Sequence, residues 1–194
     1  MPKAKQFDEA EVLKAAQQVF CEKGYNGTSM DDLVQATGLS RSSIYDTFGD
    51  KHGLFLKTLN QYCTSEMGDM EQLLSKTDSP RKKIRLIFDD LVKKILTDKE
   101  QKGCLLINVT MEMSCVDKTV STMAMDNMEG IEQLFQSLVK EGQASGEIAR
   151  KFPPRVLSRH LYNSLMGLRV TGKNRPEADA LKEVVKVALS ILDE

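Results

Sequence analysis

The chain has 194 residues, 41% hydrophobic and 28% charged, which is enough apolar material for a substantial buried core. Its formal net charge is −1, and residues 1–60 hold seven Lys and Arg against eight Asp and Glu, so no bulk basic footprint marks it for nucleic acid. Cys21, Cys63, Cys104 and Cys115 lie far apart with no CxxC pair, a spacing that speaks against a zinc site or a disulfide framework.

Apolar runs such as "CLLINV" and "LFL" fall well short of the roughly 20 residues of a membrane span. The N-terminal "MPKAKQFDEAEV" has no apolar stretch of the kind a signal sequence needs, so a cytoplasmic protein with no membrane partner is expected.

The hydrophobic period is helical along the chain and predicts an all-α fold of about nine helices. Asp8 opens the first helix, with Glu11 at capping-box distance, and Val12, Leu13, Ala16, Val19 and Phe20 form its apolar stripe until Gly24 stops it. Thr28 with Asp31 opens a second, which ends at Gly38, and Ser40 opens a short third. Asp50 caps a fourth that runs to about Leu74, and a fifth runs from about Pro80 to Leu96. "CLLINVTMEMS" reads as a short buried sixth, and the seventh spans Asp117 to Ala144. Pro153 or Pro154, and then Pro176, suit the first turns of the eighth and ninth, where a missing N–H costs nothing.

Two short helices joined by a tight glycine turn form a helix-turn-helix, whose second helix enters the major groove. On that second helix Arg41, Ser42, Tyr45 and Asp46 share an arc of about 140°, while Ile44 faces the other way with Leu39 and Phe48 as further anchors. Arg41 can bond a guanine edge or a phosphate, Ser42 and Ser43 can donate to either, and Tyr45 can reach a phosphate or a thymine methyl. Asp46 fits beside them by accepting from cytosine N4 or by pairing with a neighbouring cation. Thr28 and Ser29 at one helix start, and Lys51 at another, are placed for phosphates.

The run "AAQQVFCEKGYNGTSMDDLVQATGLSRSSIYDTFGDKHGLF" resembles the N-terminal domain of the tetracycline-repressor (TetR) family of transcriptional regulators. The resemblance implies an all-helical homodimer with a DNA-binding head, expected over residues 1–50, and a ligand-binding and dimerising body over 51–194, paired through its last two helices. It also implies that Thr28, Ser29, Arg41, Ser42, Tyr45 and Lys51 fall where family members contact DNA, and that the partners are double-stranded operator DNA and a small-molecule inducer. "GQASGEI" resembles the family's junction after the seventh helix, and His52 departs from the acidic residue often found after the lysine.

In the body no catalytic or metal-binding constellation appears, and no cofactor or enzymatic activity is expected. His160 reads as a helix-packing histidine. Met111, Met113, Met123, Met125 and Met128 fit either ordinary core filling or an adaptable pocket. Cys104 follows Gly103 at a helix start, where the dipole favours a thiolate, although a small buried apolar residue would sit there equally well. Cys115, eleven residues on, lies about 16 Å away along a helix, too far for a disulfide. Phe88, Cys104, Ile107, Met111, Cys115, Met123 and Tyr162 are the candidate ligand-binding residues. A ligand-released repressor is the leading expectation. A Cys104-based electrophile or redox sensor of the same fold stands beside it, and a helical-bundle ligand carrier is a third reading.

Overall fold

A computed structural model describes residues 7–174 and 176–193; residues 1–6, part of the stretch read for a leader, lie outside the described residues. Among the described residues there are nine α-helices: α1 (Glu9–Gly27), α2 (Met30–Thr37), α3 (Arg41–Phe48), α4 (Lys51–Leu74), α5 (Pro80–Thr97), α6 (Leu105–Met113), α7 (Lys118–Ser145), α8 (Pro154–Asn174) and α9 (Ala178–Ser190). None of them is long and apolar enough to cross a membrane.

Several helix starts follow from capping chemistry. Asp8 caps α1 by accepting from the Ala10 N–H at 2.8 Å. Ser40 and Ser79 likewise accept from the N–H three residues on, at α3 and α5. Three boundaries differ from the sequence expectation. Gly24 breaks the helical path (φ 70°, ψ 177°), but one further turn, Tyr25–Gly27, follows before α1 ends. Helix α2 is capped by Ser29 and Asp32 instead of Thr28 and Asp31, because Thr28 is already occupied closing α1. Glu177 caps α9, so Pro176 lies just before the helix and not in its first turn.

The chain separates into two compact units. One joins the chain through Glu66 with Cys104–Ala124, and the other joins Met67–Gly103 with the chain from Met125 onward. Helix α6 and the start of α7 therefore pack with the first three helices, a grouping that the boundary expected after residue 50 does not anticipate.

The core of the first unit draws Val12, Ala16 and Phe20 from α1, Leu33 from α2, Ile44 and Phe48 from α3, and Leu54, Phe55 and Leu59 from α4. It is completed by Leu105, Leu106, Val109 and Met113 of α6 and Val120 of α7. The Phe20 and Phe55 rings meet edge-to-face at 5.1 Å, and Tyr25 lies 4.8 Å from Phe55. In the second unit α5, α8 and α9 pack on one another around Ile84, Phe88, Leu91, Leu161, Leu165, Leu181 and Val185, with Phe135 and Val139 of α7. Its α7–α8 connection is buttressed by the Gln143 amide, which donates to the carbonyls of Ala149 at 2.8 Å and Phe152 at 2.9 Å.

Ile44 is the deepest anchor of α3 and is fully buried. Truncation to alanine removes its contacts with the rest of the unit, and Ile44→Ala is expected to lower unfolding stability by about 2–5 kcal/mol in a denaturant titration.

Candidate nucleic-acid interface

Helix α3 has two contrasting faces. Ile44 and Phe48 are buried, while Arg41, Ser42, Tyr45 and Asp46 are exposed, Tyr45 to 44%. An eight-residue helix is too short to persist by propensity alone, so the apolar face and the Ser40 cap hold it while the other face stays bare. The turn before it depends on Gly38, which takes the left-handed conformation (φ 69°) and returns its N–H to the Val34 carbonyl at 3.0 Å. Leu39 follows, partly buried against the core.

The exposed face is already pre-paired. The Arg41 guanidinium donates to Asp31 of α2 at 2.7 Å, with both side chains largely in solvent. An exposed pair of this kind contributes at most about 1 kcal/mol, so a phosphate or guanine edge can displace Asp31 at small cost. Ser42 and Ser43 hydroxyls lie 2.9 and 2.8 Å from the Ser40 hydroxyl, which keeps the serine cluster at the helix start oriented.

Helix α2 begins with a reciprocal capping box. The Ser29 hydroxyl accepts from the Asp32 N–H at 3.1 Å, and the Asp32 carboxylate accepts from the Ser29 N–H at 2.8 Å. Lys23 donates to the same carboxylate at 2.6 Å. The Lys23 ammonium first, and then the Ser29 hydroxyl and N–H, hold the Asp32 carboxyl well below the usual carboxylate range.

Two of the sequence-selected residues are engaged within the fold. Thr28 is only 2% exposed, and its hydroxyl donates to the Gly24 carbonyl at 2.6 Å, so its side chain closes the α1–α2 junction and does not line the surface. Lys51 donates to the carbonyls of Tyr25 at 2.9 Å and Thr28 at 2.8 Å, and its ammonium stands 4.3 Å from the Tyr25 ring centroid. Two of its three N–H donors thus terminate α1, leaving one for an outside group.

Sequence reasoning missed Asp31 as the partner of Arg41 and Glu112 of α6, whose carboxylate accepts from the N–H groups of Tyr25 and Asn26 at 2.8 and 2.7 Å. The first could have been found from the ten-residue spacing across a tight turn. The second joins positions 86 and 87 residues apart and leaves no local signal.

The candidate ligand residues are spread over both units. Phe88 is fully buried in the second unit's core, 6.1 Å from the Phe135 ring, and Tyr162 packs half-buried against that core. In the first unit Cys104 is the N-cap of α6 and accepts a hydrogen bond from the Tyr62 hydroxyl at 3.3 Å, while Ile107 and Met123 are half-buried. Met111 is 84% exposed and Cys115 is exposed, so neither is enclosed as a pocket residue would be. The reason is rotational. Met111 sits about 200° around α6 from the buried Val109, and the helix ends at Met113 before Cys115 can return to the inner face. His160 Nε2 lies 3.3 Å from the Ala188 carbonyl, as a helix-packing histidine does.

A capped, apolar-anchored short helix with a bare polar face, set across a glycine turn from a second short helix, defines a helix-turn-helix transcriptional regulator. Residues 12–58 match the family described as bacterial regulatory proteins, tetR family, and residues 80–187 match the tetracyclin repressor-like C-terminal domain. The chain belongs to the TetR family. The HTH-type transcriptional regulator YezE of Bacillus subtilis is 31% identical over 194 residues, covering 100% of both chains. The HTH-type transcriptional repressor DhaR of Mycobacterium sp. is 27% identical, covering 92% of this chain and 90% of its own. The TetR family transcriptional regulator CifR, solved as a cysteine mutant complexed with 26 bp double-strand operator DNA, superposes with a TM-score of 0.84 at 26% identity, over 97% of this chain and 98% of its own.

Because the folded-state Asp32 pKa is depressed, its stabilisation is present above the unfolded value of about 3.9 and is lost as pH falls below it. The unfolding midpoint of the unaltered protein should therefore exceed that of Asp32→Asn near pH 6, and the gap should close as the pH is lowered toward about 2, followed by circular dichroism.

Proposed function

We propose that this regulator is a repressor that binds a pseudo-palindromic operator as a homodimer and leaves it when a small molecule binds the body. The observation that carries the reading is the bare face of α3, with Arg41, Ser42, Tyr45 and Asp46 in solvent over the buried Ile44 and Phe48. Residues 1–50 are read as the DNA-reading part and residues 51–194 as the ligand-binding and dimerising part. Ser29, Ser43 and Lys51 would flank the α3 face at the phosphates, and Thr28 would keep the α2 start in place. A regulator of this kind works in the cytoplasm, and catalysis has no part in the reading.

The α8–α9 face supports the dimer. Val156, Val170, Val184 and Val187 are 46%, 53%, 50% and 72% exposed, and a depression lined by His160, Ser164, Glu183, Val184, Val187 and Ala188 lies among them. A symmetric pair of such hairpins buries the same patch on each copy. Two heads must then stand about 34–36 Å apart, or a multiple of it, to meet successive grooves on one side of the duplex. A ligand that favours the state with the wrong spacing weakens DNA binding by the factor by which DNA weakens the ligand.

A thiol-responsive version of the same regulator has one observation in its favour, the Tyr62 hydroxyl directed at the half-buried Cys104 sulfur. Cys104→Ser should then leave DNA binding intact while abolishing release by an electrophile such as N-ethylmaleimide.

Duplexes enriched from a randomised pool by the unaltered protein test the main reading. Arg41→Ala should raise Kd for the enriched duplex by about 10- to 100-fold, the value of one bidentate base contact, and should relax the preference at the contacted base pair. An unchanged Kd would remove α3 as the reading element. Val187→Glu, at an exposed position, should keep the helical circular dichroism signal and shift the sedimenting species from dimer to monomer.

A further inference from the structure

The last turn of α6 reaches the root of the reading head. Because Gly24 leaves the helical region, the N–H groups just after it cannot all find a carbonyl four residues back. Glu112 supplies the missing acceptors, Oε2 to the Tyr25 N–H at 2.8 Å and Oε1 to the Asn26 N–H at 2.7 Å. One carboxylate oxygen on each of two successive N–H groups makes a charge-assisted clamp with a defined direction. A Cβ built on Gly24 would stand 2.6 Å from Glu112 Oε2, so the glycine serves both the positive φ and the close approach of the clamp.

The surrounding contacts leave the junction little freedom. Lys51 holds the carbonyls of Tyr25 and Thr28 from α4. His52 lies 3.3 Å from Asp117, whose carboxylate also accepts from the Thr119 and Val120 N–H groups at the start of α7. Three residues beyond the clamp, Ser29 begins α2 and its capping box.

We propose that Glu112 is the positioning residue of the reading head: the placement of α6 fixes, through this carboxylate, where the start of α2 stands and therefore how α3 meets DNA. The inference rests on the ligand-responsive reading and deepens it. Cys104 and Ile107, candidate ligand residues, lie at the other end of the same nine-residue helix, so a ligand that displaces α6 carries Glu112 with it. The clamp then exchanges its two N–H partners for water, and the start of α2 loses its reference point.

The test uses the full-length protein and a duplex enriched by the unaltered protein from a randomised pool, with Glu112→Gln and Glu112→Asp as variants. Glutamine keeps the length but presents an N–H₂ where one acceptor stood; aspartate keeps the charge but falls one methylene short. Amide hydrogen exchange at Tyr25 and Asn26 is measured beside Kd, at a temperature where circular dichroism shows each protein fully folded. Both variants should speed exchange at the two amides by about tenfold or more and raise Kd by about tenfold or more. Should Glu112→Gln fail to fold, the aspartate variant carries both readouts. Faster exchange with a Kd within about twofold of the unaltered protein would reduce Glu112 to a stabilising contact and overturn the positioning role. Unchanged exchange would overturn it as well, since the clamp would then not be what holds these amides. An unaltered protein that enriches no duplex would overturn the DNA-binding reading itself, and this role with it, whereas tight binding by all three proteins would overturn only the role of Glu112.

Discussion

The arrangement of the reading head depends on how one interrupted helix is finished. Gly24 breaks α1 and exposes N–H and C=O groups at the point from which α2 must depart. A buried or half-buried backbone group without a partner costs about 1–3 kcal/mol, so the break is tolerable only if other elements supply partners. They come from distant parts of the chain, with Glu112 of α6 on the donors and Lys51 of α4 on the acceptors, and the Thr28 hydroxyl closing the last carbonyl. Placing partners of opposite charge on the two sides of one junction fixes its position as well as its stability.

The electrostatics of the head resolve the apparent conflict between an acidic sequence and a nucleic-acid partner. Asp31 and Asp32, which make α2 look unsuited to DNA, each have a local cation: Arg41 for the first and Lys23 for the second. Asp32 is fixed in a capping box and works for the fold. Asp31 is held by a single exposed contact that a phosphate can replace. A head built this way gains little from unspecific attraction to any polyanion and relies on geometry to recognise the duplex it should hold.

Much of this was legible in the sequence. The apolar stripe of α1, the punctuation at Gly38 and Ser40, and the opposition of Ile44 to Arg41 and Tyr45 are local patterns of period 3.6, and local patterns are what a sequence displays. At α2 the sequence offers two adjacent caps, Thr28 and Ser29, each with an aspartate three residues on, and only the position of the Gly24 break decides which of them is free to cap. Methionine suits an adaptable pocket and Cys115 falls three helical turns from Cys104 on nearly the same face, but the rotation of α6 and its end at Met113 leave Met111 and Cys115 in solvent. Glu112 could not be read at all, because its partners are backbone groups with no side-chain identity to betray the contact.

The thiols differ in a way that bears on any chemistry done with this chain. Burial, and then the neighbouring Cys104 and Glu66, push Cys63 up to about 11, so at pH 8 only about one molecule in a thousand carries it as a thiolate. Cys21 is sealed in the core, whereas Cys115 stands open to solvent. An alkylating reagent added to the intact protein will therefore meet Cys115 before the others, and mass added per chain reports that surface sulfur first. Only in a background lacking it does the first mass added speak for the interior of the protein.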